Sequence, residues 1–481
     1  MSFAAPEILR DPSPWMILPF GALLLAIALA PLFFSGWWSR HYAKVAIGLG
    51  SITLVYYLVG LGAGRRVFEA FHEYVSFIAM IGALYVVSGG IHIRVRGEAT
   101  PWANLVFLAV GTVLANILGT TGASMLLIRP WIRMNKYRIT GYHIVFFIFI
   151  VSNVAGCLTP IGDPPLFLGY IKGIPFWWVA ENCWPIWAVG VSTLLAMFLV
   201  VDFLNFRHVP KPVREEHTGH RETFQITGLR NVFFLVVILS AILFAGDPLF
   251  LREGILFAAA AASYFLTPRE VHHSNEFNFH PVQEVAILFI GIFATMMPAL
   301  DWLSGHASEL GNPTPTLFYF GSGILSSVLD NAPTYLSFLS AIFGAFINQD
   351  IVAQVQHLVQ TGGSDLSTFV HGAHAREIQQ TFVTLQKYHA DLVASKKVGI
   401  EEIEMAFLLG NGAYNHYILS ISVGAVFFGA NTYIGNGPNF MVKAMAEQAG
   451  VKSPSFVQFI THYSLPFMFP MLLLVWVIFF R

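Results

Sequence analysis

The stretch at 152–175, SNVAGCLTPIGDPPLFLGYIKGIP, constrains this chain more than any other. Helix-length apolar sequence flanks it, yet its middle cannot be a continuous helix. Pro160, Pro164 and Pro165 supply no backbone N–H, and Gly156 and Gly162 loosen the chain. Broken backbone survives inside a bilayer only where protein or a water-filled cavity satisfies the freed groups. A carboxylate, Asp163, sits in this break. A second break of the same kind, GANTYIGNGPN at 429–439, lies near the C-terminus. Two interrupted apolar segments at corresponding places in two halves point to the binding site of a transporter.

The composition agrees. Of 481 residues 56% are hydrophobic and 11% charged, against about 25% charged in a soluble domain. A net charge of −1 offers no basic surface, so no nucleic-acid partner is expected. Cys157 and Cys183 make neither a disulfide framework nor a four-ligand metal site. The 44 Phe and 11 Trp suit lipid contact and interfacial belts. No A-x-A-like cleavage site precedes Trp37, so the first apolar run is expected to stay as a span.

Spans need about 20 apolar residues. The runs fall near 15–35, 42–62, 74–93, 101–118, 141–171, 175–203, 231–247, 253–267, 283–303, 402–442 and 455–480, which predicts about eleven crossings in an all-α polytopic membrane protein. Two further pieces, at 119–124 and 330–334, are short polar tips between apolar arms, the pattern of a re-entrant hairpin. VLANILGTTGASMLL at 113–127 matches ILSSVLDNAPTYLSF at 324–338 in layout, and each tip is followed by a break. The order is that of an inverted repeat. It divides the chain into an N-terminal helix (1–40), a first repeat (41–203, tip 119–124, broken helix 152–171), a loop (204–230) and a second repeat. The last runs over 231–480, with tip 330–334, broken helix 429–439 and a polar insert at 349–400. Arg129, Arg133, Lys136 and Arg138 should share a side with Arg207, Lys211, Arg214, Arg221 and Arg230, and that basic side should be cytoplasmic. The insert should then lie outside; EIQQTFVTLQKYHADLVASKK within it reads as an amphipathic helix.

Asp163 and Asp330 are the carboxylates placed to hold Na⁺ or a proton. A carboxylate in a dry, unwound site can exchange one for the other, and an intramembrane acid is a functional candidate by default. Each could instead cap a helix, since prolines follow closely. Around them stand Thr120, Thr121, Ser124, Asn153, Thr159, Asn331, Thr334, Asn431, Thr432, Asn436 and Asn439. Their oxygens suit a hard cation, or serve as glue between membrane helices. No H-E-x-x-H, P-loop, G-x-S-x-G or G-x-G-x-x-G pattern is present, so neither an enzyme nor a bound cofactor is expected.

The tips together with SNVAGCLTPIGDPP and GANTYIGNGPNF resemble the ion transporter superfamily over most of the chain. The run from Ser152 to Asp163 looks most like its NhaD-type sodium/proton antiporter and citrate-transporter branch. The resemblance implies two inverted repeats, each with a re-entrant hairpin and a broken helix. It also implies a homodimer and an elevator motion of the hairpin part. In the carboxylate carriers, Ser-Asn-Thr tips hold the anion and sodium; this chain has Thr-Thr-Gly-Ala and Asp-Asn-Ala-Pro-Thr instead. Two buried carboxylates would repel a trianion by roughly several kcal/mol. Na⁺ (or Li⁺)/H⁺ antiport in a bacterial inner membrane is therefore the expected function, with cation-coupled citrate or carboxylate symport as the alternative.

Overall fold

The structure, a computed structural model, describes residues 12–96, 100–208, 223–244, 250–306, 313–361 and 374–481. The chain is an all-α polytopic membrane protein. Eight helices among the described residues are long and apolar enough to cross a bilayer. Two runs expected to cross form shorter helices, Arg230–Phe244 and Leu251–Leu266, of 15 and 16 residues. The run at 402–442 divides into Ile400–Gly410, Asn415–Phe428 and a segment leading into Gly437–Gln448. Of the 204–230 loop only its two ends are described; Lys211, Arg214 and Arg221 lie outside the described residues.

The chain forms two compact units. The first comprises residues 1–75, 282–313 and 336–415. Here Ser35–Val55 and His280–His306 approach backbone to backbone. A Cβ on Gly291 would lie 2.7 Å from the Ala46 carbonyl oxygen, the close contact that small residues allow between membrane helices. Asp301 accepts from the Tyr57 hydroxyl (2.7 Å) and the Arg66 guanidinium (3.0 Å), a largely buried charge satisfied on both oxygens. The insert belongs to this unit. Gln349–Thr361, Ala375–Tyr388 and Ile400–Gly410 bury Val355, Leu358, Phe382, Leu385 and Ile403, which gives the amphipathic helix read at its centre an apolar seat. Residues 362–373 lie outside the described ones.

The second unit comprises 76–281, 314–335 and 416–481 and carries both tips and both breaks. Its Pro101–Met134 segment would be about 51 Å long if straight. Instead the Asn104 amide donates to Asn135 Oδ1 at 2.8 Å, so the two ends are neighbours. The reversal is at Gly119, whose φ of 73° is the left-handed region that glycine adopts without a Cβ penalty. The run at 101–118, expected as a separate crossing, is thus one arm of a helical hairpin. Its apolarity alone could not tell an arm from a span.

The open end of this hairpin is fastened by charge. Asp202, fully buried near the end of Phe176–His208, pairs with Arg138 and accepts from Asn104 (2.9 Å) and Tyr142 (2.7 Å). A two-stranded antiparallel ribbon pairs His92–Arg96 with Thr223–Thr227. These bonds bring the segments carrying Arg94, Arg96 and Arg138 and the end of Phe176–His208 to one end of the unit.

Candidate functional site

Each break begins as a helix end. Gly141–Ile150 gives way to a 3₁₀ turn (Val154–Leu158), then to extended Thr159 and Asp163, before Pro164–Ile171 resumes. Asn415–Phe428 gives way to a 3₁₀ turn (Gly429–Asn431), then to extended Thr432 and Asn436, before Gly437–Gln448. The letters now align: GCLTPIGDPP against GANTYIGNGP. Thr159 Oγ1 accepts from Gly162 N at 3.1 Å, as Thr432 Oγ1 does from Gly435 N at 3.1 Å. The glycines allow a close pass. A Cβ on Gly162 would lie 2.1 Å from Gly156 O, and one on Gly435 2.6 Å from Gly429 O.

Each tip is bracketed to its break in the same way. Three residues before Gly119, Asn116 donates to Ala155 O (2.7 Å), accepts from Leu158 N (3.0 Å), and takes the Thr159 hydroxyl on its backbone oxygen (2.7 Å). Three residues before Asp330, Ser327 donates to Phe428 O (3.1 Å), accepts from the Asn431 amide (3.0 Å), and takes the Thr432 hydroxyl on its backbone oxygen (2.6 Å). The groups that these brackets tie down are the orphan carbonyls and amides of interrupted helices. One scaffold is therefore built twice.

The two copies meet at Asp163, which is fully buried. Its Oδ1 accepts from Thr120 Oγ1 of the first tip (2.7 Å) and from Asn436 Nδ2 of the second break (3.0 Å). Its Oδ2 accepts from Asn331 Nδ2 of the second tip (2.6 Å). Its partners are one hydroxyl and two amides; none is a cation. Thr120 and Asn331 hold equivalent places in the two tips, and Asp163 and Asn436 hold equivalent places in the two breaks. The ring thus joins both halves around a single acid. Asn331 Oδ1 is buried with no hydrogen-bond partner, an acceptor left open beside the carboxylate. Such an oxygen can accept from a water or coordinate a cation. A cavity of about 20 Å³, room for about one water, lies at the first tip between Met80, Leu84, Leu118, Thr120, Thr121 and Pro164.

A family model described as "putative citrate transport" matches residues 10–480. The chain belongs to this family. No curated protein matches it. Membership makes it a multi-pass secondary membrane transporter from a transport family rather than an enzyme family.

The remaining candidates divide by what they touch. Asp163 stands at a helix N-cap but makes no capping bond; its oxygens are spent on the ring. Asp330 Oδ1 accepts from Ala332 N (3.1 Å), the capping contact weighed as its alternative, and the residue after it reaches Asp163. Thr334 donates back to Asp330 O (3.0 Å). Ser124 and Ser152 share a hydroxyl contact of 2.8 Å between tip arm and break. Thr159, Thr432 and Asn431 serve the brackets, while Thr121 is half-buried on the cavity wall. Asn153 Oδ1 accepts from Asn436 (3.1 Å), and its amide donates to Asn439 Oδ1 (2.6 Å). Asn116 and Ser327 were not singled out from the sequence, although the two tips, laid side by side, put them at matching positions.

Proposed function

We propose that the chain exchanges Na⁺ (or Li⁺) for H⁺ across a bacterial inner membrane, with Asp163 as the shared seat. The observation that carries this reading is the buried carboxylate with an unpartnered amide oxygen, Asn331 Oδ1, at its side. A cation entering there gains a full negative charge and a second oxygen. A proton on Asp163 neutralises the same charge. The two compete for one site, and competition with alternating exposure to the two faces is sufficient for antiport. Asp330, one residue from Asn331, adds negative potential on the same side. The resemblance supplies the rest of the proposal: inverted repeats, an elevator-type motion of the hairpin part, and a homodimer in lipid. The end of the second unit holding Arg94, Arg96 and Arg138 would face the cytoplasm.

The family description favours a second reading, in which Asp163 holds a coupling cation or proton and citrate or a related carboxylate travels with it. Proteoliposomes loaded with a pH dye separate the two. Antiport predicts a proton flux on adding Na⁺ or Li⁺ without citrate; uptake of citrate that requires a cation, with no flux in its absence, selects symport. Asp163→Asn should abolish transport in a protein that still elutes as a folded species. Full transport by that variant would remove Asp163 from the mechanism.

A further inference from the structure

Three buried amides run away from the carboxylate, and their orientations are forced. Asn439 places one terminal atom 2.8 Å from both Gly429 O and Thr432 O, so that atom is nitrogen, because carbonyl oxygens only accept. Its oxygen must then face Asn153. Asn153 turns its own nitrogen to Asn439 Oδ1 (2.6 Å) and to Ile148 O (2.8 Å), the latter a carbonyl at the end of an interrupted helix. Its oxygen must face Asn436. Asn436 therefore presents N–H to Asn153 Oδ1 (3.1 Å), to Ser152 O (3.3 Å) and to Asp163 Oδ1 (3.0 Å). Backbone carbonyls of both broken helices thus dictate which end of the Asn436 amide meets the acid. All three side chains are at most 2% exposed, so no solvent competes.

We propose that Asn153 and Asn439 are positioning residues that make the cation seat one-sided. This inference rests on the reading of Asp163 as a cation seat. Asn436 turns an N–H rather than its oxygen to Oδ1, so it offers a cation no ligand there. On the Oδ2 side Asn331 also donates an N–H (2.6 Å), but its own oxygen is left without a partner and can serve as a ligand. The cation is confined to the side of the second tip, and Asn436, a ligand candidate by sequence, is held as a donor. The restraint keeps the number of protein oxygens low and the ion releasable.

The other half shows which residues these places tolerate. The position equivalent to Asn153 is Val426, and that equivalent to Asn439 is Leu166. Asn153→Val leaves the Asn436 nitrogen only the longer contact to Ser152 O beside the acid, and Asn439→Leu leaves Asn153 held by Ile148 O alone, so both should loosen Asn436 and let its oxygen turn toward the ion, Asn153→Val the more. Uptake of radioactive Na⁺ into proteoliposomes should then half-saturate at about two- to tenfold lower Na⁺, the worth of one added polar contact. Maximal rate should fall by a similar factor, because release slows. NaCl-dependent protection against heat, read against choline chloride, should show the same tightening without any transport. Half-saturation unchanged or raised, with or without a slower rate, overturns the proposal and leaves the pair as packing. If either variant fails to fold, Asn439→Ser is measured instead, since its short hydroxyl cannot pass the orientation on to Asn153. Asp163→Asn runs alongside: wild-type Na⁺ uptake there sinks the cation reading itself, whereas its loss together with unaltered affinity in the relay variants sinks only the relay.

Discussion

Asn116→Leu tests whether the brackets hold the breaks open. The leucine keeps the volume of the side chain and removes its polar atoms. Ala155 O loses one donor at 2.7 Å but keeps the Trp187 indole N–H at 2.9 Å, a loss of about 1 kcal/mol. Leu158 N loses the Asn116 oxygen at 3.0 Å in a 3₁₀ turn, and an unsatisfied amide there costs about 1–3 kcal/mol. The bond to Thr112 O lies within the helix and adds little. The sum is about 2–4 kcal/mol, a large share of a typical folding free energy. Ser327→Ala, the matching change in the other half, removes a hydroxyl whose donor bonds are longer and shared between Gly323 O and Phe428 O, and which accepts from the half-buried Asn431 amide, and should cost about 1–2 kcal/mol. Thermal unfolding of the detergent-solubilised protein, followed by size-exclusion fluorescence, ranks the two. Asn116→Leu should melt several degrees below wild type and below Ser327→Ala. Equal melting of Asn116→Leu and wild type would refute the idea that this amide supports the first break.

Other substitutions probe the remaining contacts. Gly162→Ala and Gly435→Ala each drive a methyl against a backbone oxygen, at 2.1 and 2.6 Å, and should abolish folded expression or transport; wild-type transport by both would disprove the close pass. Asp202→Asn removes the negative charge paired with the buried Arg138 guanidinium and should cost about 3–5 kcal/mol, visible as a lower melting temperature that does not depend on Na⁺. Asp330→Asn keeps the cap on Ala332 N, since asparagine caps as well, so melting should stay within about 0.5 kcal/mol of wild type. Half-saturation for Na⁺ should rise severalfold in that variant; an unchanged value would reduce Asp330 to a cap.

The breaks, the tips and the central acid were legible because they violate their surroundings. Proline, glycine and aspartate have no cheap place in a continuous membrane helix, so Pro160, Gly162 and Asp163 stood out. Contacts were less legible. Asp330 reads as a second acid of the site, and the structure adds what the letters do not: its Oδ1 accepts from Ala332 N, and the following Asn331 is the residue that reaches Asp163. Asn, Ser and Thr read alike as ligand or glue, and only distances sort Asn331 from Thr334 or Ser124. The reversal at Gly119 depends on one φ, which a run of apolar letters does not encode. The ribbon at His92–Arg96 escaped notice although HIRVR and TFQIT both alternate polar with apolar residues, because each run is only five residues long and the two lie far apart along the chain.

That ribbon bears on how the protein is made. Its first strand leaves the ribosome long before its second, with the hairpin, the first broken helix and Phe176–His208 emerging between them. Until Thr223–Thr227 arrives, the edge of His92–Arg96 has no mate, so the fastening can close only after those segments have entered the bilayer. Nascent chains halted before 223 should therefore expose this edge to protease, and chains released beyond 227 should shield it.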